Sequence, residues 1–291
     1  MRALVKAVFR CLGKDPVSAV ESLSSWSVRL ALRQQGLAAL VARLREIEPD
    51  ISNQEDDALR GKRFNAYWEL KRRGLQAFQT RLLLDSLELL PRRDGLVVVD
   101  VGDSAGTHML YLRRLAGQGR VRDTLSVNLE ERAVEKVRAR GFQALLCRAE
   151  ELDVDGGVDL FATFEMVEHL HNPALFLRRL SRRPDSARLL LTVPYLERSR
   201  VGLHHVRNGS TEKVLAGDEH ILELSPADWR LLFLHSGWRV VREETYYQYP
   251  RWLGVGSVLA WFWRRTDFEG FWGAVLEKDG SFADRYVDWE P

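Results

Sequence analysis

Cysteine is nearly missing from this 291-residue chain: Cys11 and Cys147 are too few for a disulfide scaffold. A reducing, cytosolic setting suits them, with Cys147 read as a buried thiol in a strand. No run of eighteen apolar residues occurs, so no membrane-spanning helix is predicted. Arg2, Lys6 and Arg10 mix with apolar residues over positions 1 to 12, but no small-residue cleavage site follows. That stretch is therefore not read as a signal peptide. An excess of one charge is missing too. Against 43 Lys and Arg stand 41 Asp and Glu, and a net charge of +2 offers no general surface for polyanions. Histidine and paired glycines are absent from residues 1 to 95, and no internal repeat or low-complexity tract occurs anywhere. What remains has the composition of a folded chain, long enough for one large core or two modest ones.

The most informative segment is Leu-Val-Val-Val-Asp-Val-Gly-Asp-Ser-Ala-Gly, residues 96 to 106. A β-branched apolar run reaches Asp100, a loop follows with Gly102 and Gly106, and from Thr107 the pattern turns helical. Strand, tight turn and helix N-terminus together make a cradle for a nucleotide-type ligand, because glycines let the backbone approach it closely. Gly102-Asp103-Ser104-Ala105-Gly106 also matches the G-x-S-x-G nucleophile elbow of a serine esterase. That chemistry needs strands and an oxyanion-hole loop before the elbow, whereas residues 1 to 95 read as helices without histidine. A purely structural turn is the third reading.

One helical segment runs from about Val17 to Glu48, ended by Pro49-Asp50, and a second from about Glu55 to Leu90, stopped by Pro91. Phe64 to Arg73, at the centre of the second, is aromatic and basic. It reads as a packed face beside a solvated one, with a substrate groove as the alternative. Strands and helices then alternate. Strands are predicted at Leu96–Val101, Thr124–Leu129, Phe142–Cys147, Val158–Phe164, Arg188–Val193, Trp238–Glu244 and Phe271–Glu277. Helices are predicted at Thr107–Leu115, Glu131–Arg140 before Gly141, Pro173–Leu180 behind Asn172, and Pro226–His235 behind Ser225. This alternation implies an α/β fold with a mostly parallel sheet and helices on both faces. The division falls near residue 93. A helical region over 1–93 would serve as lid or oligomerisation element, and an α/β domain over 94–291 carries an aromatic insertion at about 246–270.

Ligands of such sheets bind beyond the carboxyl ends of the strands. Those ends carry Asp100 and the glycine loop, then Asn128 and Glu130, then Ala149-Glu150-Glu151-Leu152, then Phe164-Glu165, then Thr192-Val193-Pro194. In this order and spacing, with Glu165-Met166-Val167-Glu168-His169, Asn172-Pro173, Leu224-Ser225-Pro226 and Gly237-Trp238, the run resembles the class I S-adenosylmethionine-dependent methyltransferases over roughly residues 95 to 280. The resemblance implies a Rossmann-like seven-stranded sheet behind an N-terminal helical extension. It also implies S-adenosylmethionine as cofactor. Backbone at Gly102 and Gly106 would hold its methionine end, Asp100 would order that loop or meet the amino group, Ala149 and Glu150 would flank the adenine, and Asp103, Ser104 and Phe164 are further cofactor-binding candidates. Two departures stand out. Ser104 replaces the middle glycine of the family's G-x-G-x-G, and Asn128 replaces the acid after the second strand, which leaves the ribose to Asn128 or Glu130.

Glu165-x-x-Glu168-His169 would project two carboxylates and an imidazole from one face if a helical turn begins there. Crowded acids need a proton or cation between them, and carboxylates with imidazole suit Mg²⁺, Mn²⁺ or Zn²⁺. The same E-x-x-E-H pattern is similar to that of the ubiquinone-pathway O-methyltransferases and the small-RNA 3′-terminal 2′-O-methyltransferases. By that resemblance His220, in Glu219-His220-Ile221-Leu222-Glu223, joins Glu165, Glu168 and His169 around a divalent metal. The opposing reading makes Glu168 and His169 structural. Without a metal, His169 is the predicted general base, with Glu165 and Glu168 beside it. His108, His171 and His235 read as structural, and His204-His205 as either a substrate-facing or a solvated pair.

The acceptor is predicted to carry a hydroxyl. Arg200, His204, His205, Arg207 and Lys213, and the aromatic stretch Tyr246 to Trp263, suit a glycan or glycolipid precursor. A small aromatic or quinone-like acceptor is the second choice. The basic clusters at 60–63 and 71–73 form no long stripe for nucleic acid. A non-catalytic scaffold that keeps the fold is the rival from another class. Trp252 to Trp263, flanked by Arg251, Arg264 and Arg265, reads as a lid or subunit contact, with a peripheral contact at the inner face of a membrane as the alternative.

Overall fold

The computed structural model describes residues 15–52, 64–91, 94–184, 186–252 and 254–287. The expectations for residues 1 to 12, Cys11, the basic cluster at 60–63 and the start of the second helical segment lie outside the described residues. The chain divides into two compact units, one drawn from Met1–Phe78 and Thr245–Phe271, the other from Gln79–Glu244 and Trp272–Pro291.

In the first unit, helix α1 (Pro16–Gln34) starts from Asp15, whose carboxylate accepts the Ser18 amide, with Pro16 in the first turn. The single helix expected over 17–48 is two. Gly36, at φ 69°, ends the first, and α2 (Ala38–Ile47) follows. Helix α3 (Ala66–Glu88) begins here and carries the aromatic-basic stretch. Arg73 is fully buried and donates to the carbonyl oxygens of Leu44 and Glu48 and to the Glu69 carboxylate. Lys71 pairs with Asp267. These two cations of the 71–73 cluster therefore hold the unit together.

The seven-stranded sheet comprises β1 (Leu96–Val101), β2 (Val121–Asn128), β3 (Gln143–Leu146), β4 (Val158–Phe164), β5 (Ser186–Pro194), β8 (Trp238–Tyr247) and β9 (Gly270–Lys278), in the order β3-β2-β1-β4-β5-β9-β8. Strands β1 to β5 are parallel, with Val98 opposite Thr124 on one side and Leu160 on the other. Val98, Val99 and Val101 are buried, each contributing about 1.5–3 kcal/mol, as expected of a strand covered on both faces. Helices α4 (Thr107–Leu115), α5 (Glu131–Ala139) and α6 (Pro173–Arg182) form the crossovers. The strand order turns back between β1 and β4, and a crevice opens at such a point beyond the strand ends.

Several predicted elements need adjusting. Strand β2 starts three residues before Thr124, because Val121 pairs with Leu96. Cys147 lies just past β3 and is only half-buried, its thiol against the Arg148 carbonyl. An antiparallel ribbon of β6 (Arg200–Val201) and β7 (Leu222–Glu223), with the turn of helix α7 (His204–Arg207) between them, is too short to show periodicity. Helix α8 (Pro226–His235) starts from Ser225 as expected, helix α9 (Val255–Thr266) occupies the aromatic insertion, and α10 (Gly280–Ala283) follows β9. Among the described residues, no helix is long and apolar enough to cross a membrane.

Candidate active site

The tips of β1 and β4 carry the site. Past β1 the chain turns at Gly102, φ 98°, where an added Cβ would stand 2.7 Å from Met166 Cγ. It enters α4 at Gly106, φ 72°. The loop between is tied down by Asp103. One carboxylate oxygen accepts the Ala105 and Gly106 amides at 3.3 and 2.8 Å, and the other accepts the Ser126 hydroxyl at 2.7 Å. Asn128 completes the tie, donating to the Asp103 carbonyl and accepting the Glu130 amide. Asp103 and Asn128 thus shape the cradle. Ser104 is left half-exposed at its tip, and Glu130 sits in extended backbone at the start of α5. Ala149 and Glu150 form a 3₁₀ turn after β3.

Asp100 is buried, and neither of its carboxylate oxygens accepts a hydrogen bond among the described residues. Burial, and then the charge of Asp103, push its carboxyl up to about 6 against the pull of His108. His108 Nδ1 stands 3.6 Å from Asp100 Oδ2, and its ring lies 4.2 Å from that of Phe164. Gln79 donates its amide hydrogen to Thr192 Oγ1 at 3.0 Å, so its oxygen accepts from His108 Nε2, also at 3.0 Å. A polar chain therefore runs from the tip of β1 to β5. His108 read as structural in the sequence. Its position two residues beyond Gly106, in the first turn of α4, is the signal that could have placed it here.

Glu165, at the end of β4, adopts φ 53°, and its amide donates to the Thr192 carbonyl. A non-glycine residue held there stores about 1–3 kcal/mol of strain, a common feature of functional sites. The 3₁₀ turn Val167–His169 follows. Glu168 is buried, and neither of its carboxylate oxygens is hydrogen-bonded among the described residues. Burial first, then Glu165 and Glu223, raise it well above the usual carboxylate range. His169 Nδ1 donates to the Glu219 carbonyl at 2.9 Å, and His220 Nδ1 meets Glu223 Oε1 at 3.2 Å. The two rings pack edge-on, 4.6 Å apart. Ligand atoms of Glu168, His169 and His220 lie within 4.8 Å of one another. Three of the four expected ligands therefore converge. Glu165 is outside that group and acts on Glu168 through its charge.

The ribbon brings His220 in. Ile221 donates to the Glu168 carbonyl at 2.7 Å, and Leu203 to that of His220, also at 2.7 Å. A Cβ on Gly202 would collide with the His220 carbonyl oxygen. Glu219 is held by His205, whose backbone and ring hydrogen bonds outweigh burial and keep its carboxyl below the usual range. In the sequence, Glu219 and Glu223 stand out only as neighbours of His220, and Gly202 does not stand out.

No family model matches the sequence, and no curated protein matches it significantly. Solved structures do. A chain of the complex between the Haloferax volcanii Trm112 methyltransferase activator and a methyltransferase superposes with a TM-score of 0.52 at 18% identity, covering 73% of this chain and 94% of that one. The chain has the class I methyltransferase fold. Two more solved structures are similar at lower scores. The Burkholderia thailandensis 1,6-didemethyltoxoflavin-N1-methyltransferase, solved with S-adenosylhomocysteine, gives 0.48 at 16% identity, over 70% of this chain and 78% of that one. A geranyl diphosphate methyltransferase in complex with SAM gives 0.49 at 16% identity, over 77% and 95%. Within the methyltransferase fold of this chain, no histidine hydrogen-bonds Ser104 among the described residues, so the serine-esterase reading finds no charge relay.

Proposed function

We propose that this chain transfers a methyl group from S-adenosylmethionine to a hydroxyl. The observation that carries the reading is the buried, unbonded Glu168 carboxylate grouped with His169 and His220, at the strand tip next to the glycine cradle of β1. Gly102 and Gly106, both at positive φ, shape the turn that would receive the methionine end, and the Asp100 carboxylate suits its amino group. Ser104, Asn128, Glu130, Ala149, Glu150 and Phe164 lie at the strand ends where the nucleoside of such a ligand binds. When bound, the cofactor supplies a methyl group on a sulfonium. Alignment of the acceptor is then the main task, worth as much as ~7–11 kcal/mol.

The acceptor hydroxyl must also lose its proton. Because the Glu219 carbonyl only accepts, His169 carries hydrogen on Nδ1, and Nε2 is the ring atom we assign to take a proton or meet a cation. His220 meets Glu223 through its Nδ1 and is assigned in the same way. A carboxylate and two imidazoles suit Mn²⁺ or Zn²⁺, with Mg²⁺ a poorer match for the nitrogens. The donor set fits such an ion. Glu168, His169 and His220 would hold it, and it would acidify a bound hydroxyl. Arg200, His204 and Arg207 beside this corner favour a glycan or glycolipid precursor as the acceptor.

Calorimetry with S-adenosylmethionine tests the core of the reading, and its failure to bind would leave a scaffold. Incubation with the labelled methyl donor and lipid-extracted or polysaccharide fractions, with and without EDTA, tests the acceptor and the metal. Label in a glycan or glycolipid fraction that falls with EDTA supports both. Undiminished transfer in EDTA leaves His169 as general base without a metal.

A further inference from the structure

Helix α9 has two unlike faces. Gly256, Leu259, Ala260, Phe262 and Trp263 are buried, and the Trp263 indole donates to Ser27, which in turn donates to the Gln248 carbonyl. The other face carries Val255, Val258 and Trp261 at intervals of three, 41, 66 and 44% exposed, with Trp252 49% exposed just ahead of the helix. Residues three apart lie on one side of a helix, so these side chains form an outward apolar ridge that the unit's own core does not use.

The charges beside the ridge have one sign. Between Tyr246 and Thr266 the chain has no Asp or Glu, and it has Arg251, Arg264 and Arg265. Arg264 pairs with Glu269. The guanidinium of Arg265 lies 4.3 Å from the centre of the Trp261 ring, and that of Arg251 lies 4.8 Å from the Tyr247 ring. Among the described residues, both cations are thus held against aromatic rings rather than carboxylates. The helix, about 18 Å long, is far too short to span a bilayer. A two-fold pairing of this ridge with a second copy would set Arg251 and Arg265 near their own copies with no acid on the helix to answer them.

We propose that this ridge seats α9 in the headgroup interface of an anionic lipid bilayer. Trp252, Val255, Val258 and Trp261 enter the acyl boundary while Arg251 and Arg265 face lipid phosphates. The proposal is independent of the methyl-transfer reading, and its test does not read activity.

The test is co-sedimentation of the full chain with phosphatidylcholine vesicles, with and without phosphatidylglycerol, at low and physiological salt. The expected result is roughly tenfold or tighter binding to the anionic vesicles, weakened by salt, with a blue shift of tryptophan emission. Val258→Asp should abolish binding without moving the melting temperature, since Val258 is on the exposed face. The double variant Arg251→Gln, Arg265→Gln should keep the apolar ridge and lose the preference for anionic lipid. Absence of vesicle binding overturns the proposal. So does binding indifferent to Val258→Asp, or a self-association that Val258→Asp removes in place of vesicle binding.

Discussion

His169 donates its Nδ1 hydrogen to the backbone carbonyl of Glu219, a residue fifty positions further along the chain. That bond places the hydrogen on Nδ1, the tautomer usual for imidazoles that act as bases or metal ligands through Nε2. Replacing His169 by Ala should therefore lower the rate of methyl transfer by about 10²–10⁴ while S-adenosylmethionine affinity changes little. Single-turnover kinetics and calorimetry on the same variant separate the two quantities. A loss of cofactor affinity equal to the loss of rate would assign His169 to the cradle instead.

Glu223 accepts from His220 and is itself paired with Arg200. If the Glu168–His169–His220 group holds a metal, Glu223→Gln should weaken zinc or manganese binding by about 10–100-fold without touching any ligand. Glu168→Ala should abolish it. Competition with a metal-binding dye measures both, and equal affinities in wild type and Glu168→Ala would remove the metal from the site.

Asp100 holds its proton more tightly in the folded protein than in the unfolded chain, where carboxyls of this kind titrate near pH 4. Its contribution to stability is full below about pH 4 and is lost as pH rises through about 6, on the order of 2–3 kcal/mol. Asp100→Asn should remove that pH dependence in chemical denaturation. A cationic amino group docked on Asp100 needs it ionised, so S-adenosylmethionine should bind more tightly at pH 7 than at pH 5 in the wild type and equally at both in Asp100→Asn.

Gly102→Ala meets two obstacles, a φ of 98° and Met166 at 2.7 Å. The predicted cost is about 1–3 kcal/mol of stability together with a loss of cofactor affinity. Met166→Ala in the same chain relieves the contact and leaves the φ, so thermal denaturation should recover in part. Full recovery would make the contact the entire cause.

Both carboxylate oxygens of Asp103 are bonded within the loop and to β2. Asp103→Ala should destabilise the chain by about 1–3 kcal/mol by leaving buried donors unmet, with the loop amides exchanging faster with solvent. Faster exchange at Gly106 than at Val98, followed by mass spectrometry or NMR, checks the locality of the effect.

Much of this was legible along the chain. The bounds of β1, β4, α4 and α8 agree with their predicted ranges, because each combines a short apolar run with local punctuation: Gly106 before α4 and Ser225-Pro226 before α8. Asn172 caps α6 with the hydrogen bond that its position implied. Such signals operate within a few residues, so they survive without knowledge of the fold. The helix predicted over 17–48 broke at Gly36 because apolar periodicity continues across a single residue with positive φ.

Local pattern thus specified the α/β order, the glycine cradle and the turn that carries Glu168 and His169. Everything that joins distant segments came from three-dimensional packing. The ribbon docks on the turn through Ile221 and the Glu168 carbonyl and so delivers His220. Glu165 lies apart from the group that its spacing suggested, and Gln79 links His108 to Thr192. These contacts depend on strand register and on backbone groups that every residue possesses, and no side-chain spacing records which distant carbonyl a given amide will meet.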